Sequence, residues 1–277
     1  MQTVHPRLRA GASCARISLM AALVLTYHAV EKGPPPLCVD PGLFREHLDL
    51  IADSGVRAVT VRELADLLRA GLPPEPLVAI AFDDGFASVA RTAAPLLLER
   101  GLRATVFCVA GRLGGRSDWP TARRAGFVGG LATASELAEL SSQGFEIGSH
   151  GYEHAPLIAA GDPFLRRELV ESRRVLEDAS RSPVRTFAFP YGATPSPGAR
   201  RLLEKTYDAA CATALSRVEQ GVDLFALPRV DVHYVRRAES LRRVLGGHLD
   251  AYLRARGLGA RVRRAFTKDY VVEAVDG

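Results

Sequence analysis

Two adjacent carboxylates, Asp83 and Asp84, end the apolar stretch "VAIAFDDG" at residues 78–85. Neighbouring strand residues point to opposite faces, and two like charges at the end of a buried strand repel each other and lose hydration. A divalent cation would offset this cost, because one carboxylate can bind it while the other stays ionised and accepts a proton from water. The pair indicates a hydrolytic metal site. In the competing interpretation, both aspartates cap a helix that follows Gly85.

A second group of chemistry-bearing residues is the histidine pair His150 and His154 in "HGYEH". A helix or a loop can bring both rings to one side, and Gly151 together with the preceding strand favours a loop. Two imidazoles and one carboxylate, with an open position, form a typical ligand set for a hydrolytic zinc-type site. Alone the pair is a weak signal, but beside a strand-terminal Asp-Asp pair it indicates a metal centre more strongly.

Short apolar strands that alternate with amphipathic helices are expected to position these side chains. Strands are predicted at "AALVLTYH" (21–28), "VRAVT" (56–60), "LVAIAFD" (77–83), "RATVFCVA" (103–110), "FEIGSH" (145–150), "VRTFAFP" (184–190), "YDAACAT" (207–213) and "FALPRVDV" (225–232). Helices are predicted from Asp40 to near Gly55, from Thr60, over 88–100, from Thr133, and over 163–179, 197–205 and 238–255. The alternation implies a parallel sheet, open or closed into a barrel, and the number of strands favours a barrel.

In such a fold the chemistry lies at the carboxyl ends of the strands. The residues of chemical interest fall there, since each closes or follows a predicted strand: Tyr27-His28, Asp83-Asp84, His150, Pro190-Tyr191 and Arg229. Residues 111–132 have many glycines and little periodicity, which predicts a long functional or lid-like loop. The convergence at strand ends is stronger evidence than any single motif.

Composition bounds the class of protein. The chain has 277 residues, of which 47% are apolar, enough for one large α/β domain or two small ones. The four cysteines, at positions 14, 38, 108 and 211, form no Cys-x-x-Cys pair, so we expect a reducing compartment rather than a disulfide framework. Cys108 and Cys211 lie in apolar stretches and are predicted to be core residues.

The two ends of the chain have distinct character. Residues 1–19 resemble a signal peptide, but cleavage there would remove the first strand, so we interpret them as a disordered leader or a misassigned start. Residues 20–277 are then the catalytic barrel with a basic, helical C-terminal tail. From Arg229 to Gly277, eleven Arg or Lys against six Asp or Glu leave a charge of +5. This tail is either a solvated helix face or a contact to an anionic membrane surface or substrate.

Three motifs, "AFDDG", "SHGYEH" and "FAFPYG", occur in this order and resemble the polysaccharide deacetylases of carbohydrate esterase family 4. "LVLTYHAV" and "FALPRVDV" look like one branch of that family, which opens with a Tyr-His strand. The resemblance covers about residues 21–235. It implies a single-domain, distorted (β/α)7-type barrel that hydrolyses acetamide groups, usually on N-acetylglucosamine units, with zinc or another divalent metal.

The resemblance also implies a role for each motif residue. Asp83 corresponds to the general base, and Asp84, His150 and His154 correspond to the metal ligands. Pro190 and Tyr191 line the groove, and the Tyr191 backbone N–H helps to hold the oxyanion. Trp119 and Phe127, in the long loop, either stack on a sugar face or pack the loop on the barrel.

The sequence departs from the family pattern in three places. Gly151 replaces the usual Ser or Thr between the metal histidines, and Ala188 replaces an Arg that orients the catalytic Asp; Arg229 would supply a guanidinium instead. The late Leu-x-x-His motif of the family has no clear counterpart, and the resemblance to the Tyr-His branch implies that the first-strand histidine, His28, takes the acid role. The competing interpretation for His28 is a packed histidine. His233 and His248 are weaker candidates for the acid.

The expected function is metal-dependent N-deacetylation of an aminosugar-containing glycan or glycoconjugate. The alternatives are hydrolysis of a non-sugar linear amide or cyclic imide at the same site, and a non-catalytic carbohydrate-binding barrel. Zn²⁺ is the expected cofactor and an N-acetylated carbohydrate the expected partner. We expect no nucleic-acid partner. Lacking an obvious export signal, the protein is expected to be cytoplasmic, at the inner membrane face if the basic tail contacts lipid.

Overall fold

The computed structural model describes residues 21–71, 75–158, 161–192 and 195–246. The predicted leader, His248 and the second half of the predicted helix 238–255 lie outside these residues, together with most of the basic tail.

Eleven strands form among the described residues, most of them very short. They are β1 (Ala21–Tyr27), β2 (Ala29–Val30), β3 (Cys38–Val39), β4 (Arg57–Val59), β5 (Leu77–Phe82), β6 (Thr105–Cys108), β7 (Glu146–Ser149), β8 (Thr186–Ala188), β9 (Ala209–Cys211), β10 (Val218–Glu219) and β11 (Val230–Asp231). Every predicted strand is present but shorter than predicted, because residues at its ends leave the ladder. The two-residue strands β2, β3 and β10 were not predicted, since they are too short to show periodicity.

Nine α-helices connect the strands of the described part of the chain. They are α1 (Pro41–Asp53), α2 (Val61–Ala70), α3 (Ala94–Leu98), α4 (Pro120–Arg124), α5 (Ala134–Ser142), α6 (Asp162–Arg166), α7 (Ser172–Ser180), α8 (Pro197–Thr206) and α9 (Ala238–Leu245). Single π-helical turns precede α3 and α7, at Val89–Ala93 and Arg167–Glu171. None of the helices in the described ranges is long and apolar enough to cross a membrane.

The helix starts agree with the capping signals in the sequence. The Asp40 side chain accepts a hydrogen bond from the Gly42 N–H at the start of α1. Thr60 and Thr133 each form a complete capping box, which confirms the predicted starts of α2 and α5. Helix α4 was not predicted, because it falls inside the glycine-rich stretch 111–132. Its five residues are too few for a periodic pattern, although Pro120 occupies the first-turn position that proline favours.

The central sheet is parallel and curls back on itself. Its strands follow the order β1-β5-β6-β7-β8-β9, with β4 beside the first half of β5, and β10 and β11 beside opposite ends of β1. A parallel bridge joins Cys211 to Leu227, only a few residues before β11 pairs with β1. The segment 227–231 therefore links the two sides of the sheet. This architecture confirms the predicted distorted barrel.

Side-chain alternation along β1 and β5 separates two cores. Leu23, Leu25 and Tyr27 belong to the larger cluster, which also contains helix residues such as Phe44 of α1. The intervening residues of both strands belong to a smaller cluster, with Ala22 and Val24 from β1 and Ala79 and Ala81 from β5. By the same alternation, Thr26 and Asp83 continue the smaller cluster's face. Cys38, Cys108 and Cys211 are buried, which confirms the prediction made for the last two.

Candidate active site

A cavity of about 320 Å³ lies where the parallel strands end. Seven of the eight predicted site residues line it: His28, Asp83, Asp84, His150, His154, Tyr191 and Arg229. Pro190, the eighth, is buried but does not contribute to the lining. The fold thus brings together residues separated by up to two hundred positions in the sequence.

The two adjacent aspartates diverge because the backbone leaves strand geometry between them. The Asp83 N–H still donates to the Tyr27 carbonyl at 3.0 Å, so Asp83 continues the ladder of β5. Asp84 and Gly85 then adopt consecutive positive φ values of 71° and 74°. Aspartate tolerates this region better than most residues, and a Cβ at Gly85 would lie 3.1 Å from the Cys108 Cα. The turn sends the two carboxylates to different partners.

Asp83 forms a buried ion pair with Arg229. Their side chains are 7% and 4% exposed, and Arg229 Nη1 donates to Asp83 Oδ1 at 2.7 Å. A second bond, from Arg229 Nε to the Ala212 carbonyl at 2.8 Å, fixes the guanidinium. Burial alone would raise the pKa of Asp83, but the charges of Arg229 and of the nearby histidines outweigh it, so this pKa is lowered. Asp83 is therefore held as a carboxylate.

Asp84 faces the two histidines. Its Oδ1 lies 3.5 Å from His150 Nε2 and 3.3 Å from His154 Nε2, and the three side chains are buried. The pKa of Asp84 falls to about 2, because hydrogen bonding and charge interactions with His154 and the other histidines outweigh burial. Burial, by contrast, lowers the pKa of His150 to about 4. An ionised carboxylate thus faces a neutral imidazole.

The donor set fits a divalent cation. One ligand atom from each of Asp84, His150 and His154 can be chosen so that all three lie within 4.8 Å of one another. His150 Nδ1 lies 2.8 Å from the Ala188 carbonyl, so Nδ1 carries the ring proton and the Nε2 lone pair is left for a metal. Two imidazole nitrogens and one carboxylate oxygen form a donor set that suits Zn²⁺.

Side chains from other segments hold His154 in place. The Trp119 ring stacks on it at 4.3 Å with an interplanar angle of 19°. The Tyr191 hydroxyl lies 3.0 Å from His154 Nδ1, and Thr121 Oγ1 lies 3.5 Å from that same hydroxyl. Trp119 is 6% exposed, so its indole packs the loop onto a histidine, and it also contributes to the cavity lining. Phe127 similarly packs on Phe86 at 5.4 Å.

His28 lines the same cavity as the three residues of the metal cluster. Its Nδ1 is buried and has no hydrogen-bond partner among the described residues. Burial would lower the pKa of His28, but the negative charges of Asp231, Asp84 and Asp83 outweigh it, so the pKa is raised. His233, one of the weaker acid candidates, is exposed and does not line the cavity.

Three residues near the site were not singled out from the sequence. Asp231 lies two positions after Arg229 on the same strand face, and that alternation was the available signal. Thr26 lies two positions before His28, and its buried Oγ1 has no partner within the described part of the chain. Glu168 contacts the loop that carries the metal histidines and gave no local signal, because it lies on a helical segment of mostly charged residues.

Several known proteins are similar to this chain in sequence or in fold. YxkH of Bacillus subtilis (strain 168), whose name describes a polysaccharide deacetylase, is 23% identical over 210 residues, which cover 76% of this chain and 70% of that protein. The Streptococcus pyogenes deacetylase PplD, solved with acetate, superposes with a TM-score of 0.70 at 21% identity, over 82% of this chain and 99% of that one. IcaB from Ammonifex degensii superposes with a TM-score of 0.69 at 24% identity, over 83% and 97% of the two chains.

These structures share the fold of this chain. The family model for polysaccharide deacetylases matches residues 70–209, half of the chain. The matched region holds the Asp-Asp pair, both metal-facing histidines and Tyr191, while His28 and Arg229 lie outside it. On this match, the chain belongs to the polysaccharide deacetylase family.

Proposed function

We propose that this protein is a metal-dependent hydrolase that removes N-acetyl groups from an aminosugar, of the N-acetylglucosamine type, in a glycan or glycoconjugate. The observation that carries the proposal is the division of labour between the adjacent aspartates. Asp84 faces two histidines at 3.3 and 3.5 Å, whereas Asp83 pairs with Arg229 at 2.7 Å. A carbohydrate-binding module has no need for an ionised base beside a cation site.

Asp84, His150 and His154 would hold the cation, with Zn²⁺ as the expected metal. A divalent cation there would supply Lewis-acid activation of water and of the acetyl carbonyl. The histidine rings are oriented for this role, since the Ala188 carbonyl and the Tyr191 hydroxyl occupy the Nδ1 side of His150 and His154.

In the proposed reaction, Asp83 accepts a proton from the attacking water as the oxygen bonds to the acetamide carbon. The Tyr191 backbone N–H donates to the carbonyl oxygen as negative charge develops there. His28 then donates a proton to the amine as the C–N bond breaks, and acetate and the free amine leave. Arg229 keeps Asp83 ionised and orients it, in the place of the Arg that Ala188 replaces.

The assignment of the acid rests on the surroundings of His28. Its buried Nδ1 has no partner among the described residues, so a substrate group can use it without breaking an existing bond. Asp231 and the two site aspartates raise its pKa, which favours the protonated form that an acid needs. Thr26 Oγ1, buried and also unpartnered in the described structure, is placed in the same cavity to meet a polar group of the substrate.

The size and lining of the cavity support a small acylated sugar unit as the bound group. Pro36, Leu37 and Leu215 contribute apolar wall, which suits the C–H face of a pyranose, while the ionised groups lie at the strand ends. PplD, which shares the fold, was solved with acetate, the second product of this reaction. Hydrolysis of a linear amide or a cyclic imide is the competing activity.

The experiment is a measurement of acetate release by the purified protein loaded with Zn²⁺. We expect acetate from N-acetylglucosamine oligomers or glycoconjugates, and none after chelation. Hydrolysis of cyclic imides or non-sugar amides, without hydrolysis of the sugars, would contradict the proposed deacetylation and favour the competing amide or imide hydrolysis. Sugar binding without any acetate release would contradict the proposal and favour a binding module.

A further inference from the structure

The loop that carries both histidines of the cluster, residues 150–154, is bound on two sides by groups from other segments of the chain. The His150 N–H donates to the Cys108 carbonyl at 2.8 Å. The carbonyls of residues 151 and 152 accept from the N–H groups of Ala110 and Gly111 at 3.0 and 2.9 Å. Backbone groups at and just after the end of β6 therefore bind one side of the loop. These bonds join main-chain atoms, so they do not depend on particular side chains.

On the other side of the loop, Ser149 Oγ accepts from the Gly151 N–H at 3.2 Å, and a distant side chain, Glu168, binds the next two N–H groups. Its Oε2 accepts from the Tyr152 N–H at 2.8 Å, and its Oε1 accepts from the Glu153 N–H at 3.1 Å. Glu168 comes from the π-helical turn between α6 and α7 and is 0% exposed. Burial raises its pKa to about 7, against the effect of the two N–H groups. A buried carboxylate that spends both oxygens on two successive N–H groups fixes the course of that backbone.

The lack of a side chain at Gly151 leaves space for this carboxylate. It has a φ of +83°, and a Cβ at this position would lie 2.5 Å from Glu168 Oε2. The absence of a side chain at residue 151 therefore makes room for a carboxylate that comes from another helical segment.

The loop needs such a brace because of where it must end. His154 has a φ of 60°, a conformation that costs a side-chain-bearing residue free energy, and it comes directly after Glu153. The two N–H groups that Glu168 binds are those of the two residues before His154. Holding them sets the direction in which the chain enters His154, and hence the position of its Nε2 relative to Asp84.

We propose that Glu168 is a positioning residue that places His154 as a metal ligand. The inference rests on the metal site of the proposed function. Without both Glu168 bonds, the N–H groups of residues 152 and 153 lose these acceptors, and His154 Nε2 is held less firmly near the other two ligand atoms.

The test is the zinc affinity of Glu168→Gln, with Glu171→Gln as the matched control. Gln has the same shape but offers one acceptor oxygen, so one of the two N–H groups faces an amide NH₂. Glu171 lies on the same turn and is exposed. Trp119 is the one tryptophan of the chain and stacks on His154, so its fluorescence reports zinc binding directly. Calorimetry of the same titration supplies an independent affinity, and neither readout depends on hydrolysis.

We expect Glu168→Gln to bind Zn²⁺ about 10- to 100-fold more weakly, as is typical when a residue that orients a metal ligand is lost. The melting temperature of the metal-free protein should stay close to that of the wild type, and Glu171→Gln should change neither quantity. Equal zinc affinity in Glu168→Gln and Glu171→Gln would overturn the inference. So would an affinity loss that merely follows a lower melting temperature of the metal-free protein, because that outcome indicates a general structural role.

Glu168→Asp keeps the inference testable if Glu168→Gln does not fold. The Asp side chain retains the charge, but it is one methylene group shorter, so its oxygens lie farther from the two N–H groups. This variant should therefore also bind zinc more weakly. Unchanged affinity in Glu168→Asp would contradict the role of Glu168. If the wild-type protein bound no zinc at all, the proposed function would fail first, and this inference with it.

Discussion

The two halves of the site are built on different principles. The base half consists of Asp83, Arg229, His28 and Asp231, all at the ends of the adjoining strands β5, β11 and β1. The metal half consists of Asp84, His150 and His154. There, only His150 follows a strand directly, while His154 sits in a loop at a φ of 60°.

The difference lies in what holds each half in place. In the base half, the sheet sets the spacing and the charged groups bind one another, as in the 2.7 Å contact of Arg229 with Asp83. In the metal half, groups that never touch the cation orient the ligands: the Ala188 carbonyl, the Tyr191 hydroxyl, the Trp119 ring and Glu168. Substitutions in the base half should therefore affect turnover, and those around the metal half should affect metal affinity.

The largest effect should come from Asp84→Ala, which removes the one carboxylate of the metal cluster. We expect the loss of measurable zinc binding and of hydrolysis together, since two imidazoles alone hold the cation poorly. Calorimetric titration and acetate release check the two quantities. Zinc binding that survived in this variant would show that the cluster is not the metal site.

Asp83→Asn should separate the halves. The amide cannot accept the proton from water, so turnover should fall about 10²- to 10⁴-fold, the usual contribution of a general base. Zinc affinity should stay within a few-fold of the wild type, because Asp83 hydrogen-bonds to Arg229 and is not one of the three clustered ligand residues. A parallel loss of zinc binding would contradict the division between the two aspartates.

Arg229→Met should lower both turnover and stability while zinc binding is retained. It leaves Asp83 buried without its cation, and breaking a buried pair in this way costs about 3–5 kcal/mol of unfolding free energy. Arg200→Met is the control, since Arg200 pairs with Asp223 at 2.7 Å on the surface, where such pairs contribute about 0–1 kcal/mol. Denaturant unfolding measures the loss of unfolding free energy in both variants. Equal losses would show that the Arg229–Asp83 pair contributes no more to stability than a surface pair.

Tyr191→Phe should weaken zinc binding about 10-fold, at the low end for a residue that orients a metal ligand. The change removes the hydroxyl that lies 3.0 Å from His154 Nδ1 and leaves the Tyr191 backbone intact. Tyr152→Phe is the matched control, because the Tyr152 ring lies against the Arg167 guanidinium outside the cluster. If the two variants bound zinc equally well, the hydroxyl would have no part in orienting His154.

The smallest effect concerns His47, which contacts the side chain of Tyr27, the residue directly before His28. His47 is fully buried; its Nδ1 lies 3.1 Å from the Tyr27 hydroxyl and its Nε2 lies 2.8 Å from the Arg236 carbonyl. Burial lowers its pKa below 6.5, so below that pH the unfolded chain binds a proton that the folded protein does not. Stability should therefore fall as the pH drops through 6.5 toward the folded-state pKa.

In His47→Gln, the melting temperature should depend less on pH between about pH 7.5 and 5.5 than in the wild type. His233→Gln is the control, since His233 is exposed. His150 contributes in the same direction in the metal-free protein, because burial lowers its pKa too. Zinc-loaded protein should keep both contributions, because a zinc-bound His150 takes up no proton in the folded state. An unchanged pH dependence in His47→Gln would remove the assigned role.

Local patterns in the sequence were sufficient for much of the fold and for naming the three residues that meet in the Asp84-His150-His154 cluster. Apolar runs identified the strands, and Thr60 and Thr133 marked two helix starts with capping boxes. Asp84, His150 and His154 could be named because motif spacing and strand ends are short-range properties. The short strand β10 and helix α4 could not be predicted, since a few residues carry too little periodicity.

The sequence by itself determined the alternation of strands and helices, the family and the residues that meet in the cavity. Only the tertiary structure decided how those residues are held. Arg229 reaches Asp83 across 146 positions, Trp119 stacks on His154 and Glu168 braces the loop before it. Such partners depend on how the sheet curls and on which helix packs behind which loop. Those choices follow from the summed burial of many side chains, and no local pattern records them.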